Sequence, residues 1–477
     1  MSNLSRNIVY FTFNRISNVA QVKRESNNNT SDGNAALFQT LPAKGIKKTN
    51  YHFRVTMMAQ AISFLLQISS SILLARMLTP ADFGLVAMVG VIANFIAVFK
   101  DLGLAQASVQ RESISHAQIS TLFWINAGLS VVLGLFVIVC APLIAWAYHD
   151  ERLVLLSVAL ALPIMISGFS LQHRALLQRN FRFIDIAQSE IIALVISIAS
   201  GLAGAYFGMG YWALALMQVT NALCFTALIW SKTNWTPCWI KRNTGVRSML
   251  GFGINLSSFN FLNYCSRNVD SLLIGRYLGV DSLGQYSRAY SLMFMPIRQL
   301  NGPLSSVYLP TLSRLCGTPD EFRLVFLQLI RWLSIVTTPL SIVLIATGDQ
   351  VISVLLGEQW SQAGELFRVL AFAALFQPLG SFSGTLLTAL GQTRRLAKWG
   401  VFSSILITSS FIIGIQYGVF GVAVAYAIAT KIQQPILLWY SLRYAPVTVT
   451  QYLGAMLPGI CLGGCVLVTW IVYELAV

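Results

Sequence analysis

The chain has 477 residues, of which 56% are hydrophobic and only 10% charged, against roughly 25% charged in soluble domains. A water-soluble fold cannot hide that much apolar surface, so the composition excludes one. The net charge is +15, from 32 Lys and Arg against 17 Asp and Glu, but no Lys/Arg-rich face with interleaved aromatics accompanies it, and no nucleic-acid partner is expected.

Residues 1–48 are rich in Asn and Ser, contain the run Asn27, Asn28, Asn29 and lack a sustained apolar stretch. This segment reads as a disordered tail rather than a signal peptide or a span. Lys44, Lys47, Lys48 and Arg54 flank the first apolar run, which places the tail in the cytoplasm. From there apolar runs long enough to cross a hydrocarbon core about 30 Å thick recur at short intervals. They are predicted at 51–77, 84–107, 119–147, 152–172, 186–207, 209–230, 250–277, 284–310, 324–346, 364–390, 396–416, 418–440 and 451–473. The runs do not alternate with period two, as 131–147 and 191–206 illustrate, so the spanning element is a helix and not a barrel strand. The expectation is an all-α polytopic transmembrane bundle of about 13 spans, within limits of 12 to 14. Two pairs of spans nearly abut, around Gly208 and Tyr417, and require tight glycine-containing hairpins.

Loop charge supports this order. With the tail inside, the inner loops hold Arg111, then Arg174, Arg179 and Arg182, then Lys232, Lys241, Arg242 and Arg247, then Arg314 and Arg323, then Arg394, Arg395 and Lys398, and finally Arg443. The outer loops are poor in base: Arg76, Arg152 and Arg276 sit near helix ends, and the longest loop carries Asp349 and Glu358. An odd number of spans puts Val477 outside. In the longest outer loop, VISVLLGEQW (351–360) is too short to span and ends in an aromatic, which predicts an interfacial turn or short helix. Seven cysteines and four histidines form no metal-ligand spacing, so neither a metal nor a cofactor is expected.

The chain repeats itself. LLARMLTPADFG from Leu73 and LIGRYLGVDSLG from Leu273 match at Arg76 with Arg276, Leu78 with Leu278 and Gly84 with Gly284, all at an offset of 200. Further on, Pro163 pairs with Pro378, the ALLQ from Ala175 with the ALGQ from Ala389, and Gly208, Ala213 and Ala215 with Gly418, Ala423 and Ala425, at offsets of 215, 214 and 210. Six spans separate the copies. An even number leaves both in the same orientation, related by an axis along the membrane normal. The expected organisation is a six-helix lobe at 49–230, a cytoplasmic linker at 231–248, a second six-helix lobe at 249–440 and an additional helix at 441–477, with a central cavity between the lobes.

Several motifs carry a family resemblance. LLARMLTPADFGLVAM from Leu73, DLGLAQASVQR from Asp101, GYWALA from Gly210, SRNVDSLLIGRYLG from Ser266 and LLGEQW from Leu355 resemble the polysaccharide transporter family. That family includes the Wzx-type flippases of the multidrug/oligosaccharidyl-lipid/polysaccharide exporter superfamily, and this sequence looks especially like its colanic-acid-exporter branch. The resemblance covers the chain from about Tyr51 onward. It implies a bacterial inner-membrane protein that translocates undecaprenyl-pyrophosphate-linked oligosaccharide, with membrane lipids and other polysaccharide-assembly proteins as partners. Members typically have two six-helix lobes plus two further helices, one more span than is read here.

A flippase of this kind passes a polar, phosphate-bearing headgroup through a low-dielectric slab, which calls for intramembrane cations facing a wet cavity. The seventh span holds Arg267, Asn268 and Asp270, the eighth holds Arg288, Arg298 and Asn301, and the offset of 200 places Lys100 and Asp101 at the depth of Asn301 in the first lobe. These eight are the candidate substrate-binding residues. Asp101, Asp270 and Glu190 are the acidic candidates for ion coupling, and Arg331, Arg368 and Lys431 are secondary cationic candidates. Structural roles compete at each position: Arg267 and Asp270, three apart, suit an ion pair on one helix face, and Arg76 and Arg276 suit anchors for helix ends. A drug exporter of the same superfamily calls for an acidic cavity instead. A membrane polymerase or ligase calls for a large outer catalytic loop, and direct ATP hydrolysis calls for a P-loop, which is absent.

Overall fold

The computed structural model describes residues 46–97, 99–100, 105, 108–109, 114–239 and 247–476; for 46–56 and 247–267, and at a few single positions from 298 onward, it gives helical backbone without the side chain. Of the expected tail, all but the last three residues lies outside the described residues. Those three already belong to the first helix, α1 (Ile46–Met77).

α2 (Pro80–Ala97) follows after a two-residue join. The Thr79 amide donates to Asp82 Oδ2 at 2.9 Å and the Asp82 amide to Thr79 Oγ1 at 3.3 Å, a reciprocal cap that starts the helix before the expected Gly84. Pro80 sits where its missing N–H would have had no helical partner. α3 (His116–Tyr148) opens on a capping box between Ser115 and Gln118 and closes at His149 in the left-handed region. α4 (Arg152–Gly168) and α5 (Leu171–Arg179) together make one span, bent at Phe169 and Ser170. At the bend the Phe169 carbonyl accepts a hydrogen bond from Trp230 Nε1 at 2.8 Å.

α5 corrects the sequence reading, which places Arg179 in an inner loop. Arg179 is only 2% exposed, and its guanidinium donates to the Ser108 carbonyl at 3.1 Å, while Ser108 Oγ donates to Gln172 at 3.0 Å. Within 171–179, Gln172 and Arg179 thus find partners inside the fold. α6 (Phe183–Tyr206) and α7 (Tyr211–Thr233) form the first hairpin, through Gly208 at φ +73° and Gly210 at φ +57°. Those are backbone conformations that only glycine adopts without strain.

α8 (Arg247–Arg314) runs 68 residues and breaks at Gly279, where φ is 86° and ψ −177°. Its two arms fold back on each other, and they correspond to the seventh and eighth expected spans. α9 (Pro319–Leu356) is ten residues longer at its C-terminal end than the expected span 324–346. It takes in most of VISVLLGEQW, and a 3₁₀ turn at Glu358–Trp360 completes the stretch. Trp360 is fully buried within the protein. α10 (Ser361–Ala374) and α11 (Gln377–Ala389) divide the expected tenth span, with Phe376 left-handed at φ 68° between them. α12 (Thr393–Gly414), α13 (Gly418–Leu442) and α14 (Val449–Ala476) complete the chain.

Neighbouring helices pack in pairs: α3 with α4, α6 with α7, α9 with α10, and α12 with α13. Small residues permit the closest approaches. A methyl group on Gly459 would come within 2.1 Å of Ser334, and one on Gly463 within 2.6 Å of Ile342, which binds α14 to α9. One apolar core runs through both halves, from Leu74 to Ala427, and smaller ones lie within each half, around Phe123 and Trp235 in the first and around Phe326 and Tyr452 in the second. Among the described residues ten stretches are long and apolar enough to cross a membrane. Three of them, 152–179, 358–389 and 394–442, each hold two of the helices named above. This is an all-helical, multi-pass membrane protein.

Candidate functional site

The two halves meet at one end of the molecule through contacts that the repeat relates to one another. A Cβ on Gly84 would lie 2.0 Å from the Val280 carbonyl oxygen, and a Cβ on Gly284 would lie 1.9 Å from the Pro80 carbonyl oxygen. At the offset of 200, Gly84 corresponds to Gly284 and Pro80 to Val280. The start of α2 and the start of the second arm of α8 therefore cross backbone to backbone, with only a hydrogen atom between them.

The arginines of the repeat cross in the same way. Arg276 Nη1 donates to the Ala147 carbonyl at 2.6 Å, at the C-terminal end of α3. Arg76 Nε donates to the Leu355 carbonyl at 3.0 Å, and its Nη2 donates to the Val354 carbonyl, at the C-terminal end of α9. Each cation thus meets the negative end of a helix in the opposite half. The anchoring role read from sequence is filled, but across the halves and not within them.

Trp360 and Gln359 add to this seam. Trp360 Nε1 donates to the Ala75 carbonyl at 2.8 Å, and Gln359 Nε2 to the carbonyls of Ala75 at 2.6 Å and Leu78 at 3.1 Å, satisfying acceptors that the end of α1 leaves open. Gln285 holds the turn in place, donating to the Gln359 carbonyl and accepting from the Ala363 amide, both at 2.9 Å. The Trp360 ring stands edge-on to Phe83, centroids 5.4 Å apart.

Deeper in, the two arms of α8 carry the polar residues. Arg288 lies nine residues past Gly279, about 13 Å along a helix at 1.5 Å per residue. Its Nη1 donates to Ser71 Oγ at 3.1 Å and its Cζ lies 4.2 Å from the Phe83 ring centre, so this cation too bridges the halves. Its Nε is buried and has no hydrogen-bond partner among the described residues. Asp270, nine residues before Gly279, is 2% exposed. It accepts from Tyr286 Oη at 2.8 Å and from the Ser271 amide at 2.7 Å. Asn268, two residues before Asp270 on the same arm, is half-buried.

The remaining candidates do not converge on these. Asn301 donates to Ser381 Oγ at 3.4 Å, while its buried Oδ1 has no partner among the described residues. Lys100 donates to Ser167 Oγ at 2.9 Å, within the first half. Glu190 pairs with Arg174 at 2.7 Å, both side chains half-exposed. The side chains of Arg267 and Arg298, and the whole of Asp101, lie outside the described residues. Of the secondary candidates, Arg368 pairs with Asp349 at 2.7 Å. Lys431 donates to the Leu375 carbonyl at 2.5 Å, at the break between α10 and α11, with the rings of Phe372 and Phe376 within 5.5 Å.

Sequence reasoning misses Ser71, Tyr286, Gln359 and Trp360 as members of the seam. Ser71 and Tyr286 lie in polar runs, QISSS and GQYSR, that give no sign of which residue faces the other half, and Gln359 and Trp360 close a motif that carries the family likeness without revealing its partner. Residues 73–365 match the family described as Polysaccharide biosynthesis protein. This chain belongs to that family. Among its relatives, the teichuronic acid biosynthesis protein TuaB of Bacillus subtilis (strain 168) is 29% identical over 397 residues, spanning 82% of each protein. The lipopolysaccharide biosynthesis protein WzxC of Escherichia coli (strain K12) is 26% identical over 386 residues, 80% of this chain and 77% of WzxC. In three dimensions this polysaccharide biosynthesis protein resembles the lipid II flippase MurJ in an inward closed conformation, with a TM-score of 0.68 at 14% identity over 88% of this chain and 98% of MurJ. An inward-facing MATE family transporter of the MOP superfamily superposes with a TM-score of 0.59 at 15% identity, over 80% of this chain and 94% of that one. At such identities the likeness establishes the fold.

Proposed function

We propose that this protein is a bacterial inner-membrane flippase that carries undecaprenyl-pyrophosphate-linked oligosaccharide across the membrane by alternating access. The observation that carries the reading is the seam: two repeat-related halves closed at one end by a small set of symmetric, breakable contacts. Its lobes are 49–230 and 249–440, joined by the linker 231–248, and 441–477 adds a further helix. The N terminus is cytoplasmic and the seam lies on the outer side, in keeping with the base-poor loops there. In this reading the halves rock against each other, the seam opens outward while the inner end closes, and the lipid tail stays in the bilayer.

Arg288, with a buried N–H left over and a position between the halves, is placed to meet a phosphate oxygen. Arg298 and Asn301 follow it on the second arm of α8, Arg267, Asn268 and Asp270 lie on the first arm, and Lys100 and Asp101 serve the same role from the first lobe. Asp270 is the strongest candidate for coupling to a proton or sodium gradient, because among the described residues it is the buried carboxylate, whereas Glu190 is engaged at a surface ion pair. A drug exporter is disfavoured by the excess of cations over carboxylates among these groups. A polymerase or ligase is disfavoured because the outer connections among the described residues are short: α9 runs to Leu356 and α10 begins at Ser361.

The deciding experiment reconstitutes the protein in liposomes with labelled lipid-linked oligosaccharide and follows its appearance on the opposite face. Translocation under a proton or a sodium gradient is expected; none under either overturns the assignment. Charge reversal at both Arg267 and Arg298 is expected to abolish it, and unchanged export by that double variant rules out the cationic cavity.

A further inference from the structure

A pocket of about 580 Å³ lies at the end of the molecule opposite the seam, where α13 ends and α14 begins, and Arg323 of α9, Trp439, Arg443, Pro446 and Thr448 line it. Several features give it a positive character. Arg323 is fixed by a 2.9 Å bond from Nε to the Pro446 carbonyl, so its guanidinium is held against the wall. Arg443 is exposed and lies over the Trp439 ring, 5.8 Å from its centre, with no ion pair among the described residues. α14 starts here on a reciprocal cap: the Gln451 amide donates to Thr448 Oγ1 at 3.3 Å and the Thr448 amide to Gln451 Oε1 at 3.1 Å. The positive end of a 28-residue helix therefore opens at the pocket. The opposing charge is one carboxylate, Asp320, 87% exposed and 3.2 Å from Arg323.

The pocket is also continuous with a lipid-facing surface. Val449, Leu453 and Leu457 repeat every four residues along one face of α14 and are all exposed, as is Trp439 at the end of α13. An indole beside basic groups at a helix end is the arrangement that sits at the headgroup level of a bilayer. A free anion would use the cationic end alone, whereas the joined apolar stripe suits acyl chains.

We propose that this pocket binds the phosphate of an anionic membrane phospholipid, with Arg443 and Arg323 around the headgroup and the acyl chains along Val449, Leu453 and Leu457. The site lies away from the seam and from Arg288, and its test uses no transported substrate.

The test uses the full-length protein in detergent, with lipid retention read by native mass spectrometry. The probes are phosphatidylglycerol, phosphatidylcholine and inorganic phosphate. Wild type is expected to retain phosphatidylglycerol in preference to phosphatidylcholine, and Arg443→Gln to weaken that retention about fivefold, which corresponds to about 1 kcal/mol for one basic group at a lipid surface. Arg443→Lys is expected to keep most of it, and Arg394→Gln, a basic residue outside the pocket, all of it. Equal retention of the two lipids, or loss in Arg394→Gln as large as in Arg443→Gln, overturns the proposal. Competition by inorganic phosphate at concentrations similar to the lipid overturns the lipid assignment in favour of a free-anion site. Because Arg443→Lys preserves charge, its behaviour separates a binding defect from a folding defect in Arg443→Gln.

Discussion

Gly84 and Val280 approach so closely that a methyl group on the glycine would sit 2.0 Å from the valine carbonyl oxygen. In Gly84→Ala the obstacle is backbone, which cannot rotate away as a side chain can. Overpacking of this kind costs about 1–3 kcal/mol, enough to move the equilibrium toward the open seam by a factor of roughly five to 150. Spin labels at the exposed positions 151 and 281, in a background with the native cysteines replaced, are expected to show a longer distance distribution in Gly84→Ala than in wild type. Identical distributions would mean that the seam does not open in the way proposed. Gly284→Ala should behave alike, since it meets Pro80 in the equivalent contact.

The crossed arginines make a second prediction. Arg76→Gln removes a cation from the end of α9, and Arg276→Gln removes one from the end of α3. Both arginines are exposed, so each bond is worth about 1 kcal/mol or less. Each single variant should widen the same label distances slightly. The double variant should exceed the sum if both bonds hold one seam, because residues sharing an interface couple. Additive effects would indicate two independent anchors.

Asp270 and Tyr286 separate charge from structure. Asp270→Asn keeps an oxygen to accept the tyrosine hydroxyl and removes the charge. Translocation is expected to lose its response to the imposed ion gradient while thermal unfolding in detergent changes little. Tyr286→Phe leaves the buried carboxylate without its hydroxyl donor, at a cost of about 1–3 kcal/mol, and should lower the unfolding temperature. If Asp270→Asn keeps the full gradient dependence, the coupling residue lies elsewhere.

Lys431 lies at the break between α10 and α11. Lys431→Met keeps apolar packing beside Phe372 and Phe376 and removes both the donor to the Leu375 carbonyl and the cation over the two rings. Transport is expected to fall at least tenfold if the break must hold its shape as the halves rock. Hydrogen exchange should rise at 375–380 in the variant. Faster exchange with unchanged transport would limit Lys431 to local stability.

Legibility in the sequence differs by feature. The repeat at Arg76 and Arg276 is visible because both copies keep the same letters at the same spacing, and so is the glycine pair. Nothing in either motif says that each copy bonds to the other half, since that depends on which helix end lies across the seam. Pro378, at the start of α11, is a local sign of the break at Phe376 within the expected span 364–390, but the bond from Lys431 at the break comes from a helix more than fifty residues away and leaves no local trace. Arg179 reads as a loop charge because its partner, Ser108, lies about seventy residues earlier.

Membrane residence, helical character and the doubled plan are therefore encoded locally: they follow from apolarity and from recurrence along the chain. Which charges hold the halves together, and which are left over, emerges only once the helices are packed. Arg76, Arg276 and Glu190 have their partners, while Arg288 keeps a buried N–H to offer. That distinction depends on which groups packing brings together, from 16 residues apart for Arg174 and Glu190 to 279 for Arg76 and Leu355; for a buried group such as Arg288 an unmet hydrogen bond is costly, and no local pattern of letters encodes it.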